Sequence, residues 1–134
     1  MAAGRELRTL LAGLRPELAP GAYAFLVLPD GVALDPAQIV ASVREPEGLS
    51  IVVREDIARA LGLPIVLLAA WITLAVHSDL AAVGLTAAVS RALADSGIAC
   101  NVVAGVRHDH LFVPFEAAQQ AMDVLGALSL AART

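Results

Sequence analysis

The second half of the chain alternates two-faced strand patterns with single-striped helix patterns, and this restricts the fold more than any other feature. Residues 71–77, "WITLAVH", put Ile72, Leu74 and Val76 on one side of an extended chain and Trp71, Thr73, Ala75 and His77 on the other. The stretch that follows sets Leu85, Val89 and Leu93 at i, i+4 and i+8, one apolar stripe suited to packing on a sheet. Ser96-Gly97 ends that helix. A second strand is predicted over 98–106, with Ile98, Cys100, Val102 and Ala104 on one face, and a returning strand over 111–114. A last helix buries Ala118, Ala121, Met122, Leu125 and Leu128, leaving Glu116, Gln119, Gln120 and Asp123 outside. The order is β-α-β-β-α, a split β-α-β arrangement without its final strand, which a strand from the first half can supply. Helices on one face of such a sheet leave the other to be covered, by the first half or by a second copy.

The first half repeats a looser β-α-β-α. Leu7, Leu10, Leu11 and Leu14 have helical spacing, and the helix stops before Pro16. Residues 23–28 lie between turn signals and read as a strand. Asp35 as N-cap and Pro36 at the first helical position predict a helix over "DPAQIVASV". A turn over 45–48 leads to a strand over 49–53, and "REDIARALG" reads as a short helix ended by Gly62. The apolar run over 61–76 is shorter than the roughly 20 residues a spanning helix needs, and Pro64 interrupts it, so it reads as a loop and a buried strand. Arg5, Glu6, Arg8 and Arg15 break up the N-terminal apolar residues, so no signal-peptide core forms. A cytoplasmic protein without membrane partners is expected.

With 134 residues, 58% of them apolar, the chain can bury a core of its own. A net charge of −4 without any Lys or Arg run argues against a nucleic-acid partner. Cys100 is the single cysteine, so no internal disulfide forms. It reads as a small buried hydrophobe.

Three short stretches invite a chemical reading. In "RHDHLFVP", 107–114, His108 and His110 would share a face on a strand, and His77 is the only further histidine for a zinc site. The position between two closely spaced strands favours a hairpin tip. His77-Ser78-Asp79 holds the residue types of a hydrolase triad, but adjacent side chains diverge and no GxSxG elbow is present. A strand end followed by a helix cap, Ser78 or Asp79, is the stronger reading. The backbone N–H groups of such a turn suit a carboxylate or another anion. Gly84, early in the helix, costs about 1 kcal/mol relative to alanine. It permits either closeness of the helix to a strand or close approach of a ligand. Asn101 is expected to make a structural hydrogen bond, and Trp71 to lie in the core or an interface. No phosphate loop, dinucleotide fingerprint or catalytic constellation is present, so neither a cofactor nor an enzymatic activity is expected.

The stretches "EGLSIVVREDIARALGLP", "WITLAVHSDLAAVGLTAAVSRALADSGIACNVVAGVRHDHLFVP" and "EAAQQAMDVL" resemble the ACT-domain family. The nearest subgroup is the small two-part bacterial ACT proteins, related to the ACT modules of cytosolic arginine sensors and aspartate kinases. The resemblance runs over about residues 14–128. It implies an α+β, ferredoxin-like (βαββαβ) ACT fold in tandem, with an incomplete half over 1–66 and a fuller ACT domain over 67–134. It also implies a non-catalytic regulatory role, with an amino acid bound at a domain or subunit interface. By the family's pattern the ligand would meet His77, Ser78, Asp79, Leu80, Val83, Gly84 and Leu85. Ile98, Asn101 and Val102 would lie nearby, with Asp109 facing the ligand from across the interface. In that pattern Asp109 is the recurrent polar residue of its stretch and the neighbouring histidines are local variation. A homodimer is expected, because ferredoxin-like sheets leave edges or a face uncovered. Two other readings remain: a metal-binding protein or metal-dependent enzyme using His77, His108 and His110, and a structural assembly module without a ligand.

Overall fold

In a computed structural model of the chain, residues 2–75 and 83–134 are described. Seven strands form one antiparallel sheet: β1 (Pro16–Leu18), β2 (Tyr23–Leu28), β3 (Ile39–Glu45), β4 (Gly48–Arg54), β5 (Leu67–Leu74), β6 (Asn101–Ala104) and β7 (Asp109–Pro114). Their order is β3-β4-β2-β5-β7-β6, with β1 also paired to β5. Four α-helices accompany them: α1 (Ala2–Ala12), α2 (Glu55–Leu61), α3 (Leu85–Asp95) and α4 (Ala118–Ala132).

The strand missing from the second half comes from the first. β1 and β2 share one edge of β5, Leu18 opposite Ile72 and Tyr23 opposite Ala69. The first-half side therefore holds two extra residues between those pairs. Pro20 and Gly21, the latter at φ +81, make the break, and the Ala19 N–H still donates to the Trp71 carbonyl at 2.9 Å. The exchange is mutual: β5 is the fourth strand beside β3-β4-β2, and β1-β2 the fourth beside β5-β7-β6. The halves thus lie edge to edge in one sheet, so the first half cannot cover the open face of the second.

Strand alternation sends Ile72, Leu74, Leu111 and Val113 to one face, where they meet Leu85, Val89 and Leu93 of α3, Ala121 and Leu125 of α4, and Leu14. On the same face Ala58 of α2 packs on Ala24, Leu26, Ile51 and Val53 of the first half. The Ala12 carbonyl, near the free end of α1, accepts from Ser129 Oγ at 3.2 Å and Arg133 Nε at 3.0 Å. These bonds fasten α1 to α4 and satisfy an acceptor that the helix end leaves free.

Several elements differ from the sequence reading. Asp35 does cap, accepting from the Ala37 N–H at 2.9 Å, but it caps a single 3-10 turn, Pro36–Gln38. The expected helix gives way to β3, because Ile39, Val40 and Val43 are β-branched and suit a strand, and β4 offers a ladder through a two-residue connection. β5 begins at Leu67, earlier than the aromatic start of the alternating pattern. β6 is confined to 101–104 because Ile98 belongs to the end of α3. The Ile98 N–H donates to the Leu93 carbonyl and the Gly97 N–H to the Ala94 carbonyl, with Gly97 at φ +74. This is a Schellman motif, and Ile98 is its apolar closing residue. The N-cap of α3 is Gly84; Ser78 and Asp79, the expected caps, lie outside the described residues.

Leu125 is fully buried between α4 and the sheet. Leu125→Ala is expected to cost about 2–5 kcal/mol, read in urea as a lower unfolding midpoint with an unchanged slope.

Candidate functional site

Two places bring the residues of interest together, one on each face of β5. The first is the carboxyl end of β5. Asp109 pairs with Leu74 there and with Ala104 on its other side, half-buried at the mouth of the β6-β7 hairpin. Gly84 starts α3 at φ +98, a conformation that side chains with a Cβ rarely adopt, and contributes no capping side chain. A Cβ on Gly84 would stand 3.2 Å from Leu7 Cδ2 of α1. The close neighbour of this glycine is thus a side chain of α1, where the sequence reading expects a strand. Val83 beside it is 81% exposed. Leu85, Ile98 and Val102 belong to the helix-face core, so their side chains are engaged in packing. Asn101 is exposed and pairs with Phe112, which directs it to the opposite face from Val102. His77, Ser78, Asp79 and Leu80 lie outside the described residues.

The second place is the other face of the sheet. Tyr23, Val52, Ala69 and Phe112 form a cluster there with Phe25, Trp71 and Val103, and among the described residues no helix contributes to it. Trp71 meets Tyr23 edge-on at 5.1 Å between centroids and stacks on Phe112 at 6.1 Å, while Phe25 meets Phe112 edge-on at 5.3 Å. Offset and edge-on contacts of this kind are favoured by the ring quadrupoles. They leave Phe112 fully buried on a face that carries no helix. A groove of about 240 Å³ continues from the cluster across Val27, Val43, Val66 and Val103.

His110 borders this cluster. The hairpin reading of "RHDHLFVP" holds for His108, which is exposed before the strand, but His110 stands inside β7 between Thr73 and Val103. Its Nδ1 lies 3.0 Å from Trp71 Nε1 and 3.1 Å from Thr73 Oγ1. The imidazole covers Gly105, where a Cβ would lie 3.2 Å from Nε2 and 3.0 Å from the His108 carbonyl oxygen. Burial, then the charge of His108, hold the His110 pKa below its ordinary 6.5, with Asp109 acting the other way. Burial pushes the Cys100 thiol above its ordinary value, in keeping with an inert thiol. Among the described residues no three His, Cys, Asp or Glu side chains converge as metal ligands; His77, the third histidine of the zinc reading, lies outside them. No described helix is long and apolar enough to cross a membrane.

Two family models match in tandem, both described as ACT domain, over residues 2–70 and 67–127. The chain belongs to the ACT-domain family. The overlap of the two matches falls on the start of β5, the strand both halves use. A Vibrio cholerae protein of unknown function, described as a possible transport protein, is 42% identical, with a TM-score of 0.84 over 95% of this chain and 98% of that one. An Agrobacterium tumefaciens protein is 22% identical at a TM-score of 0.63, covering 87% of this chain and 89% of that one. The regulatory subunit of aspartate kinase from Thermus thermophilus, in its ligand-free form, is 12% identical at a TM-score of 0.62, covering 84% and 95%. The latter two likenesses establish the fold alone, a tandem ferredoxin-like ACT arrangement. No curated protein matches the chain.

The sequence reading takes His110 for a hairpin-tip residue or a zinc ligand and misses its partners across the sheet, Trp71 and Thr73. Its signal was present: in register, Trp71, Thr73 and His110 are neighbours on one sheet face.

Gly84→Ala must strain the backbone and displace Leu7. It is expected to lower stability by roughly 1–3 kcal/mol. Adding Leu7→Ala should not restore it fully, since the positive φ remains; thermal unfolding of the single and double variants checks this.

Proposed function

We propose that this ACT protein is a non-catalytic regulatory module that binds a small molecule, an amino acid, at the turn between β5 and α3. The halves would be 1–66 and 67–134, and the working form a homodimer. The observation that carries the reading is the start of α3 in a tandem ACT fold. Gly84 brings no side chain to its own helix end, so the first N–H groups of α3 lack a side-chain cap at that position. Such groups favour a carboxylate. Asp109, at the adjoining strand end, would meet an ammonium group. An amino acid carries both charges. The turn residues His77, Ser78, Asp79, Leu80 and Val83 would complete the contacts, with Leu85, Ile98 and Val102 supporting them from the core and Asn101 from β6. Ligand bound there would favour one arrangement of halves or subunits, which is regulation by population shift.

The test is a thermal-shift panel of the twenty amino acids and common divalent metals on chelator-treated protein. Binding to the native state raises stability by mass action, about 2.7 kcal/mol at a hundredfold excess over Kd. A saturable rise with one amino acid or a chemically related few is expected, weakened in Asp109→Ala. A flat response to all twenty overturns the amino-acid reading. A rise with zinc alone, lost in His108→Ala, replaces it with the metal reading.

A further inference from the structure

We propose that His110 is a pH-operated switch for the aromatic cluster on the helix-free face, exchanging Trp71 for Thr73 as its hydrogen-bond partner when it takes up a proton. The indole Nε1–H can only donate. At 3.0 Å from His110 Nδ1, it requires a lone pair on that nitrogen, so His110 is neutral here and carries its proton on Nε2. A proton from solvent would occupy that lone pair. Nδ1 would then be a donor facing the Trp71 donor, and their bond is lost. The new Nδ1–H has an acceptor already in place, Thr73 Oγ1 at 3.1 Å, the residue directly opposite on β5. A hydroxyl both donates and accepts, so Thr73 serves either state, whereas Trp71 serves one. Two arrangements thus exist around one imidazole, and a single proton selects between them.

The consequence reaches beyond the histidine. The indole whose N–H loses its partner is the ring that meets Tyr23 edge-on and stacks on Phe112. It is also 5.7 Å from the imidazole itself. Protonation therefore puts a cation beside the tryptophan and frees the tryptophan's polar edge together. Gly105 leaves the imidazole its place over the hairpin.

The charges around the switch are few among the described residues. On its own strand Asp109 favours the proton; from the hairpin His108 opposes it, and the Arg107 charge lies beside His108 in sequence. From β1, Glu17 stands opposite Thr73 on the same face. β5 offers only neutral Trp71 and Thr73, and β6 offers Val103 and Ala104. Tyr23 on β2 donates its hydroxyl proton to the Pro20 carbonyl. Burial comes first among the causes of the lowered pKa, so the neutral state prevails above pH 6.5. The native state binds this proton less readily than the unfolded chain does. His110 therefore contributes stability that is present above the unfolded-chain value and is withdrawn as pH falls through the native one.

Trp71 is the only tryptophan, so its emission reads the switch without labelling. The full-length protein is titrated from pH 8 to pH 4.5, following tryptophan emission and the indole N–H resonance, with far-UV circular dichroism in parallel. A one-proton transition with its midpoint below 6.5 is expected, with quenched emission, an upfield-moving indole proton and unchanged secondary structure. His110→Gln should abolish the transition, because an amide accepts from the indole at every pH. Thr73→Val should retain it at a lower midpoint, since the charged state loses its acceptor; a hydroxyl that merely filled space would leave the midpoint in place. A flat emission profile overturns the proposal. So does a transition that survives His110→Gln, or one that coincides with loss of secondary structure.

Discussion

The structure depends on the pairing of β5. This strand is hydrogen-bonded along both edges, to β1 and β2 on one side and β7 on the other. Ala70, Ile72 and Leu74 are buried on the helix face and Ala69 on the aromatic face. A strand with no free edge and no free face admits few alternative registers, because a slip by one residue would exchange its two faces entirely. Here that exchange would drive Trp71 and Thr73 into the helix-side core and Ile72 and Leu74 onto the aromatic face. The register is therefore held from both sides, and everything that packs on the sheet inherits it.

The mutual exchange of edge strands follows from the same pairing. A βαββα unit alone leaves its first strand with an unpaired edge, a row of backbone donors and acceptors open to other chains. Placing the two halves edge to edge closes both first strands at once. Among the described residues the open edges are β3, the four-residue β6 and the outer side of the three-residue β1. This economy has a cost in coverage. Since neither half lies across the other, the described residues close the face opposite the helices with the sheet's own side chains and its loops. Phe25 and Trp71 do this over Phe112, with Tyr23 edge-on to Trp71, while Val43 and Val66 stay largely open to solvent.

How much of this was legible in the sequence depended on whether the signal was local. The α3 stripe of Leu85, Val89 and Leu93, the Gly62 stop, strand β2 and the buried face of α4 all followed from spacing and turn chemistry within a few residues. The failures share a cause. Asp35 and Pro36 are sound start signals, yet Ile39, Val40 and Val43 find a ladder on β4, and non-local pairing decided against a helix. Ile98 fits an alternating strand pattern, but the helix end before it claims its backbone N–H. His110 was read through its sequence neighbours, as half of a His-x-His pair, when its partners are thirty-seven and thirty-nine residues away across the sheet. The resemblance to ACT domains was legible because it resides in a run of local patterns. The geometry of Gly84 was not, because the helix that occupies its open side begins more than seventy residues earlier.

The same alternation that fixes the register also joins the two places of interest. Asp109 and His110 are consecutive in β7, opposite Leu74 and Thr73, which are consecutive in β5. One pair points toward the helices and the start of α3, the other toward the aromatic face. The sheet is thin there, and a single peptide unit separates the two sides. Any shift of β7 along β5 must change the Asp109 side and the His110 side together, since no hinge or loop lies between them. A proton taken up at His110 and a ligand held at the end of β5 would therefore act on one ladder from its two faces. The other edge of β5, paired with β1 and β2, is the seam between the halves, so whatever moves β5 in this ladder is felt at that seam.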